Sequence, residues 1–266
     1  MMINAMRSEL IRTRRKGVLL GWFGLTVLFT AMINTVLAQV VGDTSAPPAS
    51  GPGVSFPTLA QWQSADGIVA GLSSAAGMYG VVTLSFWAIA TAGDYSTGLI
   101  RLLASAQPDR VRLLLGKVAA LTVWTAAAAT VALIANLVIA PMAAGAGDVD
   151  VSAWGQDIGP VLAGAWVNLF CTLLVWGVIG LVLALVTRSA AISISVGVGY
   201  VLVVESVITA ALDAIADWTP GATLSALAQG GTPGIPYSSA LMMGALYTLV
   251  GLGIAFTVFK RRDITD

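Results

Sequence analysis

The sequence predicts an all-α membrane protein with six transmembrane helices in a single domain, residues 1–266. Of the 266 residues, 57% are apolar and only 10% are charged, whereas a soluble domain has about 25% charged residues. Six apolar runs each exceed the roughly 20 residues that cross a bilayer core as a helix. These runs cover residues 17–41, 67–92, 118–141, 161–186, 190–212 and 239–259.

The segment before the first run, residues 1–16, is predicted to form a basic amphipathic helix in the lipid headgroup layer. Five Lys or Arg residues surround one apolar helical face, which carries Ile3, Met6, Leu10 and Ile11. Two alternatives are a charged segment that only sets topology and a cleaved signal peptide. The run 17–41 is longer than the roughly 7–15 apolar residues of a signal peptide, which favours a retained first helix.

The positive charges divide the connections between the runs into two classes. All 13 Lys and Arg residues lie in the N-terminal segment, between the second and third runs, at Arg188, or in the C-terminal tail. The connections 42–66, 142–160 and 213–238 contain Asp residues but no Lys or Arg. The positive-inside rule therefore predicts a multi-pass cell-membrane protein whose termini are both cytoplasmic and whose three acidic connections lie outside.

The connection between the second and third runs, residues 94–117, is here called the elbow. Its leucines Leu99, Leu102 and Leu103 fall at helical spacing and give a short helix one apolar side. Gly98 permits a tight bend before this helix, and the helix is expected to end before Pro108. We interpret the elbow as a cytoplasmic element presented to another protein. Three basic residues that follow are expected at the membrane surface: Arg110, Arg112 and Lys117.

The outer connection 213–238 contains an apolar stretch, residues 222–228, that is far too short to span a bilayer. A re-entrant or interfacial helix is predicted there, with an ordinary loop as the alternative. The Pro-rich connection 42–66 is predicted to be a surface loop. Tryptophans near the ends of runs are predicted to be interface anchors: Trp62, Trp154 and Trp218.

Three polar residues within the apolar runs are candidates for a translocation pathway. Glu205 is the one acid well inside a run, where a carboxylate costs about 2.5–3.5 kcal/mol on insertion scales. It either lines a substrate path, grips a neighbouring helix, or makes a structural hydrogen bond near the outer interface. Asn34 and Asn168 are the other candidates, although amides within a bilayer usually join helices.

Several kinds of chemistry are excluded by composition. The chain has no His and one Cys, Cys171, which excludes a Cys/His metal site, a disulfide within the chain and a His-based catalytic triad. Gly116-Lys117 lacks the preceding Gly and the following Ser or Thr of a phosphate-binding loop. We therefore expect no enzymatic activity and no cofactor bound by this chain. Energy for uphill transport would come from an ion gradient or a partner.

The order of these features resembles the permease subunit of an ABC-2 type transporter. The resemblance rests on the N-terminal helix, six spans and an elbow whose motif residues are Asp94, Tyr95, Gly98, Arg101, Leu102, Leu103, Arg110, Gly116 and Lys117. The tail 259–264, Phe-Lys-Arg-Arg-Asp-Ile, is also similar. Two departures are Asp94, where Glu is commoner, and Leu99, where Thr is commoner. Both are compatible with an amphipathic helix.

This resemblance implies that two permease subunits pair and that two ABC ATPase subunits, which bind ATP and Mg, dock beneath them. The elbow would couple the ATPase to the spans through Asp94, Tyr95, Gly98, Leu99, Arg101, Leu102, Leu103 and Arg110. The outer segment would gate the exit. The implied function is export of hydrophobic or amphipathic drugs, antibiotics or peptides across the bacterial inner membrane. The partners are these subunits and membrane lipids, with no nucleic acid. Alternatives are a non-transporting anchor or sensor and a membrane-embedded lipid-modifying enzyme.

Overall fold

A computed structural model describes residues 2–41, 54–99, 102, 109–211 and 213–261, and every regular element in these ranges is helical. The α-helices are α1 (Met2–Thr13), α2 (Lys16–Val40), α3 (Leu59–Gln63), α4 (Ala70–Ser74), α5 (Ala76–Ser96), α6 (Arg110–Ala146), α7 (Ile158–Thr187), α8 (Ala190–Gly199), α9 (Glu205–Ala211), α10 (Asp213–Ala216), α11 (Pro220–Ala228) and α12 (Tyr237–Arg261). A 3-10 turn, Ala65–Val69, precedes α4, and a π-helical segment, Tyr200–Val204, joins α8 to α9.

Six of these helical stretches are long and apolar enough to cross a membrane: α2, α5, α6, α7, Ala190–Ile208 and α12. They confirm the predicted six-span, all-α architecture of a multi-pass membrane protein. The second span, α5, begins later than the predicted 67–92 because residues 65–74 form short helical turns before it. It also ends later, at Ser96. Helix α6 has 37 residues and is therefore about 55 Å long, well beyond the predicted 118–141.

Helices α5 and α7 form the centre of the bundle through an interlock of glycines and tryptophans. An added Cβ at Gly80 would lie 2.3 Å from Trp176, and one at Gly177 would lie 2.5 Å from Trp87. Both tryptophans are almost completely buried. Each indole thus occupies the space that a glycine on the facing helix leaves, which brings the two backbones close together.

The bundle has two chemically different ends. The basic end contains the C-terminal ends of α5 and α12 and the N-terminal end of α6, where Arg110 donates to the Lys260 carbonyl oxygen at 3.4 Å. The acidic end contains the described parts of the connections without Lys or Arg, residues 54–66, 142–160 and 213–238. There the Ser152 backbone N–H donates to Asp150 at 2.9 Å, which lowers the pKa of that carboxyl and favours its charged form.

Two of the three tryptophans predicted as interface anchors instead close the acidic end. Trp62 is fully buried and Trp154 is 5% exposed. The Trp154 indole donates to the Trp62 carbonyl oxygen at 2.8 Å, which attaches α3 to the connection before α7. The anchor prediction is wrong for both, because the connections fold back over the core. Trp218 is 64% exposed, as an interface residue would be.

Candidate functional site

A cluster of four charged side chains joins three helices at the basic end. Arg12 of α1 donates to Asp94 of α5 at 2.9 Å and to both carboxylate oxygens of Glu9. The Lys117 ammonium of α6 lies 2.7 Å from Asp94 and 3.2 Å from Glu9. Two acids and two bases therefore balance one another, and these four residues are here called the ion cluster.

Most of the ion cluster is withdrawn from solvent. Glu9 is 4% exposed, Asp94 6% and Lys117 7%, and Lys117 also donates to the Ala90 carbonyl oxygen at 3.2 Å. Buried charges require such partners, because removing them from water costs several kcal/mol per ion. Two carboxylates draw the Lys117 ammonium inward, and its expected position at the membrane surface stays a prediction.

Helix α1 is attached to the bundle beside the ion cluster. Its Ala5 packs against Gly116 of α6, where an added Cβ would lie 2.9 Å from the Ala5 side chain. The Trp124 indole of α6 donates to Thr13 at 2.9 Å. Helix α1 therefore contacts both the last turn of α5 and the first turns of α6. Its position relative to a bilayer stays a prediction.

The elbow begins where α5 ends. Gly98 has a φ of +68°, as the predicted tight bend requires, and its N–H donates to the Tyr95 carbonyl oxygen at 3.1 Å. The Tyr95 ring lies 5.8 Å from the Arg188 guanidinium, a cation–π distance.

The elbow's leucines are described only in part. Leu99 is half-buried, whereas the side chain of Leu102 is 67% exposed. Arg101 and Leu103 lie outside the described residues. At the far end of the elbow, the Asp109 side chain caps α6 by accepting the Arg112 backbone N–H at 3.2 Å.

Glu205 forms the second candidate site, at the acidic end. Its Oε1 accepts the Thr219 hydroxyl at 2.6 Å and the Ala222 backbone N–H at 2.9 Å. Thr219 is the N-cap of α11, so the carboxylate binds the positive end of this helix. The π-helical segment directly precedes Glu205, and such segments often occur at functional positions.

Gly221 makes the approach of Glu205 to α11 possible. An added Cβ at this position would lie 2.3 Å from each carboxylate oxygen. Leu224 and Leu227 of α11 are each 1% exposed, and the Leu224 carbonyl oxygen accepts the Thr172 hydroxyl at 3.3 Å. The predicted helix in this connection is confirmed and the ordinary loop is wrong. Whether α11 is re-entrant stays a prediction.

Asn34 joins helices in the interior. Its Nδ2 donates to Asn136 Oδ1 at 3.0 Å, and Asn136 Nδ2 donates to the Ile68 carbonyl oxygen at 2.7 Å. Both asparagines are 0% exposed, which is typical of amides that hold helices together. A pathway role for Asn34 stays a prediction and would require the helices to separate.

Asn168 lies on the wall of a cavity of about 470 Å³ at the acidic end. Its Oδ1 accepts the Tyr237 hydroxyl at 2.7 Å, which ties α7 to the start of α12. Asp66 also lies on the cavity wall, and the end of α11 forms another part of that wall. The structure thus places Asn168 beside an open space and Asn34 away from any surface.

Sequence reasoning missed Glu9, Gly221 and Asp66. Glu9 is the one acid among the five Lys and Arg of residues 1–16, and this isolation was a usable signal of a specific partner. The partner itself, Lys117, is 108 residues away along the chain. No group of three or more potential metal-ligating side chains occurs among the described residues.

Comparison with known proteins identifies a family for this chain. A search of the curated proteins finds no match. The family described as protein of unknown function (DUF2705) matches residues 27–265. This range includes Asp94, Lys117 and Glu205 but not α1. Since the match covers most of the sequence, the chain belongs to the family described as protein of unknown function (DUF2705).

Proposed function

We propose that this chain is the permease subunit of an ABC-2 type exporter, which moves hydrophobic or amphipathic compounds across the bacterial inner membrane. A separate ABC ATPase subunit supplies the energy and binds ATP and Mg. The observation that carries the proposal is the ion cluster, which ties α1 to both ends of the elbow. An element that a partner protein displaces must be rigidly connected to the membrane spans if its displacement is to move those spans.

The elbow is the proposed docking site for the ATPase. The positive-inside rule predicts that it lies on the cytoplasmic side. Leu102 offers an exposed apolar contact. A displacement of the elbow moves α1, α5 and α6 together, because the ion cluster bonds them to one another. The α5–α7 interlock then carries the movement into the centre of the bundle.

The acidic end is the proposed exit side. Helix α11 acts as the gate in this proposal, and Glu205 holds it to the fifth span through Thr219 and Ala222. Asn34 and Asn168 belong to the proposed pathway with Glu205. A second permease subunit completes the pathway.

The experiment uses the full chain co-expressed with candidate ABC ATPase subunits from the same genome and reconstituted in liposomes. ATP hydrolysis and uptake of a lipophilic dye are measured together. The double variant Leu102→Asp/Leu103→Asp is expected to lose ATPase co-purification and transport, because two carboxylates replace the apolar contact. Ser96→Asp, an exposed change at the end of α5, adds charge without removing that contact and should retain both.

Two outcomes contradict the proposal. The first is normal co-purification and full transport by the double leucine variant. The second is labelling of Gln107→Cys, in a Cys171→Ser background, only from outside intact cells, because the elbow would then face away from any ATPase. Hydrolysis that is indifferent to every transported compound would favour the anchor or sensor alternative.

A further inference from the structure

We propose that the cavity at the acidic end binds a small organic cation with an apolar body. The inference does not use the transport function proposed above, and it concerns a site separate from Glu205. It rests on the size of the cavity, the chemistry of its walls and the charge of its surroundings.

Three parts of the chain form the cavity walls. One wall is the segment from Phe56 to Ser74, the second is the first part of α7, and the third is the end of α11 with Gly230 and Gly231. The volume of about 470 Å³ lies within the range of small-molecule sites, roughly 300–1,000 Å³. The space is therefore sufficient for a compact organic molecule.

The charge of the walls favours a cation. Asp66 is the one charged side chain among the described lining residues, and it is exposed. The described parts of the connections at this end, residues 54–66, 142–160 and 213–238, contain no Lys or Arg. Asp66 has no ion pair within the described part of the chain, so its carboxylate attracts a cation and repels an anion.

The remaining wall chemistry indicates an organic ligand rather than a bare metal ion. Apolar surface comes from Phe56, Val69 and Val161. Carboxamide and hydroxyl groups come from Gln61, Ser64, Ser73, Asn168 and Gln229. A single carboxylate among apolar and neutral polar groups does not satisfy a divalent cation, which prefers several oxygen ligands.

Gly164 provides a way to test the cavity without disturbing the fold. It lies on the α7 wall, and an added Cβ would meet no heavy atom within 4 Å. A leucine there projects into open space and costs the helix nothing in propensity. Gly159, on the same helix, is equally open but does not line the cavity, so Gly159→Leu is the matched control.

The test measures binding of tetraphenylphosphonium to the full chain in neutral detergent by equilibrium dialysis against protein-free micelles. Its isosteric anion, tetraphenylborate, is measured in parallel. The wild type is expected to bind the cation saturably at one site and the anion at least tenfold more weakly. Gly164→Leu is expected to abolish the saturable binding. Gly159→Leu is expected to preserve it.

The role of the Asp66 charge is tested by Asp66→Asn. Asp148→Asn removes a different carboxylate from the acidic end and is the control. Loss of the carboxylate is expected to weaken cation binding by about fivefold, as for charges about 4 Å apart in a water-like medium. Every variant is checked by size-exclusion chromatography and thermal unfolding. Absence of saturable binding to the wild type, or unchanged binding in Gly164→Leu, overturns the site. Unchanged cation binding in Asp66→Asn overturns the role of its charge.

Discussion

The two ends of the bundle bury carboxylates in opposite ways. At the basic end, Glu9 and Asp94 lie against Arg12 and Lys117, so that charge neutralises charge. At the acidic end, the Glu205 carboxylate is bound by a hydroxyl and a backbone N–H. The first arrangement depends on full opposite charges, whereas the second depends on dipoles at the start of a helix.

This difference separates two kinds of connection between helices. The ion cluster joins residues 9, 94 and 117, which are distant in sequence, so its loss would detach whole helices from one another. The Glu205 cap joins residue 205 to 219 and 222 over a short connection, so its loss would release one small helix. The largest mutational effects are therefore expected at the basic end.

The largest effect is expected for Lys117→Met. This change leaves two buried carboxylates opposite one guanidinium, and an uncompensated buried charge destabilises a protein by about 3–5 kcal/mol. Thermal unfolding in detergent, followed by tryptophan fluorescence, measures the loss.

The double variant Asp94→Asn/Lys117→Met is the control for charge balance. It removes one acid and one base and is expected to recover part of the stability lost by Lys117→Met. A double variant less stable than Lys117→Met would show that the individual contacts, and not the balance of charge, govern the cluster.

An intermediate effect is expected for Glu205→Ala. The Ala222 N–H and the Thr219 hydroxyl would lose the Glu205 acceptor but keep Thr219 Oγ1 and the Ala216 carbonyl oxygen as second acceptors, so we expect a cost near the lower end of about 1–3 kcal/mol. Glu205→Gln keeps a carbonyl oxygen for both donors and is expected to lose less. Protease cleavage within 213–238 should increase in the alanine variant while the global unfolding temperature falls only modestly.

Gly221→Ala tests the same cap from the other side. The new methyl group would collide with both Glu205 oxygens, so the carboxylate or α11 must move. We expect the cleavage pattern of Glu205→Ala to recur in this variant. Protection equal to that of the wild type would contradict the role assigned to Gly221.

The smallest effect is expected for Arg112→Gln. Arg112 pairs with Asp109 at 2.8 Å, but both side chains are over 40% exposed. An exposed ion pair contributes less than about 1 kcal/mol. A loss as large as that of Lys117→Met would show that exposure does not distinguish the two pairs and would remove the basis of the comparison.

The helical architecture was predictable because apolar length and turn chemistry are local properties. The six spans, the Gly98 bend and the helix at 220–228 all follow from residues adjacent in sequence. The ion cluster was not predictable, because nothing near Lys117 shows that Glu9 will fold against it. The burial of Trp62 likewise depends on how two connections close over the core.

Close packing illustrates the same limit. The pair Gly17/Gly21 has the spacing of a packing motif, yet neither position has a heavy atom of this chain within 4 Å of an added Cβ. Tight contacts of the central helices occur at Gly80, Gly177 and Gly180, which no simple spacing identifies. Glycine marks a possible close approach, but the large residue on the facing helix decides where one occurs.

Trp176 packs against Gly80, and Trp87 packs against Gly177. A single substitution at one member of either pair is therefore constrained by the size of the other member. An enlarged residue at position 177 is tolerable only if the aromatic group at 87 shrinks, and the same holds for 80 and 176. Relatives of this chain should therefore exchange bulk within these two pairs in a coordinated way, keeping the summed volume of each pair nearly constant.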